Sequence, residues 1–232
     1  MMKKQLLRRI GFFEKISEKS LASLESITKI KNVDKNEILY YEGDVLKWVC
    51  LLVCGHLELY KMDKNDNELF LCYVDSRLKG ARLINACGAF KPYEAAASVR
   101  GIEPSVVALI EMEPLALLVK QDIEISNAFL SAFMDKAIVF KNFINFKEVY
   151  DSTSRVGYLL YTELERFNKT QRQVIAHELN IKLETLSRIL QKMQQQGLLS
   201  KDQRGDLCIN DKFTFATLFG NVKMAKIQGS IS

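Results

Sequence analysis

The stretch that most limits what this chain can fold into lies near its C-terminal end. Residues 175–200, IAHELNIKLETLSRILQKMQQQGLLS, carry two helical patterns joined by a short break and closed by a glycine. In the second pattern Leu186, Ile189, Leu190 and Met193 share one face, and Glu184, Ser187, Arg188, Gln191 and Gln195 share the other. Ala176 is small where a second helix would cross the first, and Asn180 tolerates the left-handed conformation that a tight break needs. These are the requirements of a helix-turn-helix. A polar stripe near the start of its second helix is what a helix entering a major groove presents to base edges. Arginine pairs bidentately with guanine and a carboxylate accepts from cytosine N4. The competing reading is an intrahelical Glu184–Arg188 ion pair on a solvated face, worth about 0.3–0.5 kcal/mol.

The charge distribution agrees with a polyanion partner. Residues 151–232 hold 12 Lys+Arg against 8 Asp+Glu, while residues 1–150 are nearly balanced at 21 against 20. After Gly197, LLSKDQRGDLCIND reads as strand, turn and strand, with Arg204, Gly205 and Asp206 at the turn.

Upstream the hydrophobic period changes. LLRRIGFF and SEKSLASLESI read as short helices, the second capped in the Ser17–Ser20 region. EILYYEGD, WVCLLVCGHLELYKM, ELFLCYV and SVVALIEMEPLALLV are β-rich runs separated by turn residues, which predicts a small antiparallel roll or barrel. A long helical pattern then runs from about Gln121 to Phe146, with Leu130, Phe133, Ala137, Phe140 and Ile144 forming a seam at steps of three and four. Such a helix must bury more than one face, against its own roll and against a second copy. YDSTSR interrupts the pattern, and residues 147–152 are the expected hinge. The expected division is a sensor domain at 1–120, a dimerisation helix and hinge at 121–150, and a DNA-binding domain at 151–232.

Taken together, strand roll, long helix, hinge and winged helix-turn-helix resemble the Crp/Fnr superfamily of dimeric bacterial transcription regulators. The most specific element is LETLSRIL, which matches the E-x-x-S-R recognition helix of that family, here residues 183–196. The resemblance implies an α+β chain with an N-terminal antiparallel β-roll of the cupin-like, cyclic-nucleotide-binding type. It implies base reading by Glu184, Ser187 and Arg188, backbone contacts from Arg172, Gln173, Lys182 and Thr185, and RNA polymerase as a partner beside double-stranded DNA. Gly55 in VCGHLEL matches the glycine of the family's strand turn. Leu183 stands where catabolite-activator relatives carry arginine; with Ser187 it follows the oxygen-responsive pattern, which implies TTGA-like half-sites.

The sensor half departs from the cyclic-nucleotide pattern. The stretches that correspond to the family's ribose and phosphate ligands are NACGAF, from Asn85, and AAASV, from Ala95. They put Ala86, Ala95 and Ala96 where a glutamate, an arginine and a serine would stand, so cyclic AMP loses its charge-assisted bonds. An iron–sulfur cluster of the family type lacks its N-terminal cysteines, since none precedes Cys50. A histidine-ligated haem would have to use His56, and the effector and cofactor stay open. Cys50 and Cys54, four apart on a strand, are expected on one face; with Cys72 and Cys87 they give four thiols in the sensor domain. Buried thiols acting as small hydrophobes are the plainer alternative. Five cysteines with no secretion signal argue against a disulfide framework, and apolar stretches too short and too interrupted by charge to span a bilayer argue for a cytoplasmic protein that does not engage a membrane. Two histidines and no glycine-rich phosphate loop leave an enzyme without its parts. The rival reading is a dimeric effector-binding protein whose helix-turn-helix mediates protein contacts.

Overall fold

The computed structural model describes residues 2–77, 82–85, 90–144 and 150–220. They fall into two compact units that divide near residue 141.

The first unit opens with helix α1 (Met2–Arg8), a 3-10 turn (Gly11–Phe13) and helix α2 (Glu18–Ser26), whose first turn is capped by Ser17 accepting from the Ser20 amide. Nine antiparallel strands follow: β1 (Thr28–Val33), β2 (Ile38–Tyr40), β3 (Val45–Leu46), β4 (Trp48–Cys54), β5 (His56–Met62), β6 (Glu68–Asp75), β7 (Tyr93–Glu94), β8 (Ser98–Gly101) and β9 (Ser105–Glu111). They form sheets in the orders β1-β9-β4, β2-β8-β5-β6 and β3-β7, which is the expected roll. Leu51 and Val107 from one sheet and Leu57 and Val99 from another are fully buried in a common core. The β4–β5 turn depends on Gly55: its φ is +105°, and a Cβ there would collide with Ser105.

Two sequence expectations change here. SVVALIEMEPLALLV is not one strand, because it splits into β9 and helix α3 (Met112–Gln121). Pro114 is tolerated in a first helical turn, and Leu115, Leu118 and Val119 pack on the core at helical spacing. Cys50 and Cys54 do not share a face. Leu52 pairs with Val107 and Cys54 with Val106, so a bulge at Val53 adds one residue and reverses the alternation.

The long helix, α4 (Ile123–Ile144), starts where Asp122 accepts from the amides of Glu124 and Ile125. Ile125, Phe129 and Ala132 are buried in the roll's core. Phe133, expected in the outward seam, is turned inward instead: it packs on the core, its ring 5.8 Å from Phe90 and 6.4 Å from Phe129. Leu130, Met134, Ile138 and Ile144 are each more than half exposed, and Phe140 stands at 41%. The outward row therefore runs through Met134 rather than Phe133. No described helix is long and apolar enough to cross a membrane.

The second unit begins with helix α5 (Ser152–Lys169), capped by Asp151 accepting from the Ser154 amide, with a kink at Glu163. Helices α6 (Arg172–Glu178) and α7 (Leu183–Gln195), strands β10 (Leu199–Lys201) and β11 (Leu207–Ile209), helix α8 (Lys212–Phe215) and a π-helical turn (Ala216–Gly220) follow. Gly157 lets the Phe219 ring lie directly on α5, where any Cβ would clash with it. Of the expected hinge, residues 147–149 lie outside the described residues.

Candidate nucleic-acid interface

The α6–α7 corner is built as the sequence pattern requires. Asn180 adopts φ +49°, and the Ile181 amide reaches back to the Ala176 carbonyl at 3.0 Å. Ala176 and Leu186 are buried where the helices meet, with Ile189 and Met193 behind them. Arg155 on α5 braces the corner by donating to the Leu179 carbonyl at 3.0 Å. Gly197, at φ +71°, ends α7: the Leu198 amide bonds the Met193 carbonyl, a glycine-closed helix terminus. Asn168 holds the wing to α5 by bonding both the amide and the carbonyl of Leu207. The wing's turn is fixed by Asp202, whose carboxylate accepts from the Arg204 and Asp206 amides.

What this frame presents outward is the expected stripe. Glu184, Ser187, Arg188, Gln191 and Gln195 are all exposed on α7, as is Lys182 at its start. Neither Glu184 nor Arg188 joins an ion pair among the described residues, so the intrahelical pair is not formed. Lys182 stands at the N-cap and contributes no side-chain cap. Thr185 is half-buried and Gln173 exposed. Arg172 is differently placed from its neighbours. Its guanidinium lies 4.2 Å from the Phe167 ring centroid and donates to the Phe167 carbonyl, with burial lowering its pKa. A phosphate contact from Arg172 would need that side chain to swing off the ring.

In the roll, the expected sensor residues that the structure describes differ in exposure and surroundings. Cys50 and Cys72 are buried, and burial pushes the Cys50 thiol up to about 12 and raises that of Cys72. Cys54 is half-buried, while Cys87 and Ala86 lie outside the described residues. No group of three or more His, Cys, Asp or Glu among the described residues could hold a metal ion. His56 packs edge-on against Tyr73 at 4.5 Å, its Nδ1 3.3 Å from an Arg77 nitrogen, and its Nε2 is buried without a partner among the described residues. Burial lowers its pKa, opposed by Asp75. Ala95 is buried and Ala96 exposed. Asn85 closes the sheet edge rather than facing a ligand: its side chain accepts from the Cys50 amide and donates to the Trp48 carbonyl. Sequence reasoning missed Lys136, only 2% exposed, which donates from α4 to the Ile84 carbonyl at 3.1 Å. Its signal was present, as a lysine in the inward row beside Phe129 and Ala132.

Comparison with known proteins agrees with this geometry. Residues 155–214 match the family of Crp-like helix-turn-helix domains. No curated protein sequence matches the chain significantly. Among solved structures it is similar to a CooA variant from Carboxydothermus hydrogenoformans, at TM-score 0.59 and 15% identity over 90% of this chain and 94% of that one. A transcriptional regulator of the Crp/Fnr family from Eubacterium rectale gives TM-score 0.57 at 17% identity, over 91% and 98%. FixK2 from Bradyrhizobium japonicum gives 0.56 at 18%, over 83% and 98%. The chain thus has the fold of the Crp/Fnr regulators. Within that fold, residues 155–214 form a Crp-like helix-turn-helix domain.

Proposed function

We propose that this protein acts as a homodimer that binds double-stranded DNA sequence-specifically and answers a small effector, or a redox or gas signal, in its β-roll. The observation that carries the reading is the stripe of Glu184, Ser187 and Arg188, unpaired among the described residues, on a helix whose other face is buried at Leu186, Ile189 and Met193. Arg188 pairs with a guanine, Glu184 with the cytosine opposite it, and Ser187 contacts the adjacent thymine. The target is a palindrome of TTGA-like half-sites with centres about one helical turn, roughly 10–10.5 base pairs, apart. Lys182, Gln173 and Thr185 supply backbone contacts, with Arg172 joining if released from Phe167. RNA polymerase is the partner that converts binding into regulation.

The dimer seam is the outward row of α4, with Leu130, Met134, Ala137 and Ile144 along it and Phe140 at its edge. An effector changes how two such helices pack and reorients the DNA-binding domains about residues 147–152, which requires different affinities for two states. Cyclic AMP is not that effector: Ala95 and Ala96 offer its phosphate no charge. Calorimetry with cyclic AMP should give no heat of binding at micromolar concentrations.

Selection from random DNA tests the central reading, followed by gel shifts at two salt concentrations. A half-site with a G·C pair and an affinity that falls steeply with salt are expected. Recovery of no sequence, or of half-sites lacking G·C, would remove the roles given to Glu184 and Arg188.

A further inference from the structure

The outward row of α4 follows a strict heptad, and two of its members are polar. Ile123, Leu130, Ala137 and Ile144 stand seven apart, and Asn127, Met134 and Lys141 occupy the alternate row, three residues before the next member of the first. Asn127, Ala137 and Lys141 are exposed, as are Ile123, Leu130, Met134 and Ile144. The opposite face, with Ile125, Phe129, Ala132 and Lys136, is buried in the protein's own roll. In coiled-coil terms the first row holds the d positions and the second the a positions. Asn127 and Lys141 thus sit in the middle of the only α4 face that its own roll leaves open among the described residues, not on its flank.

In a parallel, in-register pair each a residue meets its own copy near the two-fold axis. An asparagine there hydrogen-bonds its twin and is satisfied only in that register, and a lysine there meets a like charge. The residues flanking Lys141, Ile138 and Phe140, carry no acid that could neutralise it. The heptad repeat, the match of this face to itself and its exposure identify a second copy as the occupant.

We propose that Asn127 and Lys141 set the register and strength of this self-association. Asn127 pins two copies parallel and in register. Lys141, one turn before the end of α4, keeps the C-terminal end of the seam weakly closed through repulsion between two ammonium groups. The inference rests on the dimer reading above and adds which residues control it.

A charge-swap mixing experiment tests it with the full-length protein. Lys141→Glu and wild-type chains, mixed and examined by native mass spectrometry, should form heterodimers well above the statistical half. Lys141→Ile should tighten the dimer about tenfold by sedimentation, since a tenfold change is all that relief of about 1.4 kcal/mol requires. Crosslinking of Asn127→Val should show mixed registers where the wild type shows one. Circular dichroism confirms that each exposed-site variant folds. A wild-type dimer that mixes statistically with Lys141→Glu, and is not tightened by Lys141→Ile, would overturn the proposal while leaving the dimer intact. A wild type that stays monomeric at every concentration would overturn both.

Discussion

The charges of the roll and those of helix α7 are used in opposite ways. In the roll, Arg100 bonds Glu58 at 3.1 Å and Glu68 at 2.7 Å, and its guanidinium stacks 4.7 Å from the Tyr60 ring. These bonds raise its pKa against the opposing effect of burial. Arg77 is held by Asp75, Arg82 donates to the carbonyls of Val53 and Ser76, and Lys136 donates to Ile84. On α7, Glu184 and Arg188 are one turn apart, exposed and in no ion pair among the described residues. An ion committed inside a unit fixes its shape, whereas an ion left unpaired on a rigid frame is free to meet a partner. The contrast separates ions that hold the fold from ions that the fold leaves exposed.

The largest effect should come from breaking the committed side. Glu58 is 2% exposed, and it sits directly across the sheet from Arg100. Arg100→Met removes its cationic partner and should destabilise the chain by on the order of 3 kcal/mol. Chemical denaturation measures this. In whatever fraction stays folded, DNA half-site preference should be unchanged, and a changed preference would blur the division between the two regions.

The uncommitted side should respond inversely. Arg188→Ala should leave the unfolding midpoint where it is and weaken each half-site by about 1–3 kcal/mol, with relaxed preference at the guanine. Lys182→Ala should weaken every sequence alike and flatten the salt dependence by about one phosphate contact. Competition gel shifts with matched and mismatched sites resolve the two. If Arg188→Ala lost affinity uniformly, Arg188 would be a backbone contact and the assignment of readers would be wrong.

The two regions were also unequally legible in the sequence. The α6–α7 corner could be read because each requirement falls on one residue: Ala176 for the crossing, Asn180 for the turn, Leu186 for the packing and Gly197 for the stop. The roll was legible as a succession of strands but not in detail. Nothing local marks the bulge at Val53, because strand pairing across β9 decides it. MEPLALLV offered a short apolar run that fits either strand or helix, and Pro114 in the first turn was the signal that it is helical. Phe133, expected in the outward row, packs on the core instead. Rows through Phe133 and Met134 both satisfy steps of three and four, and only packing against Phe90 and Phe129 decides which residue turns inward.

The smallest effect concerns His56, the one histidine of residues 1–150. His56 faces Asp75 and Arg77 at its Nδ1 side, with Tyr73 beside the ring and Glu58 and Glu103 contributing to its surroundings. Its Nε2 is buried without a partner among the described residues. Burial holds its pKa below the ordinary imidazole value, so the unfolded chain binds a proton that the folded chain resists. The His56 contribution to stability is therefore complete above the unfolded value of about 6.5 and declines as pH falls from there toward the folded value. Protonation would also place a second cation against Arg77. Thermal unfolding between pH 8 and pH 5 should show wild type losing more stability than His56→Gln, which cannot titrate. The difference should be smaller than the loss from Arg100→Met, because Asp75 already offsets part of the burial effect. Identical pH profiles for wild type and His56→Gln would mean that the ring is protonated as easily in the folded roll as in the open chain, and that its buried nitrogen carries no penalty.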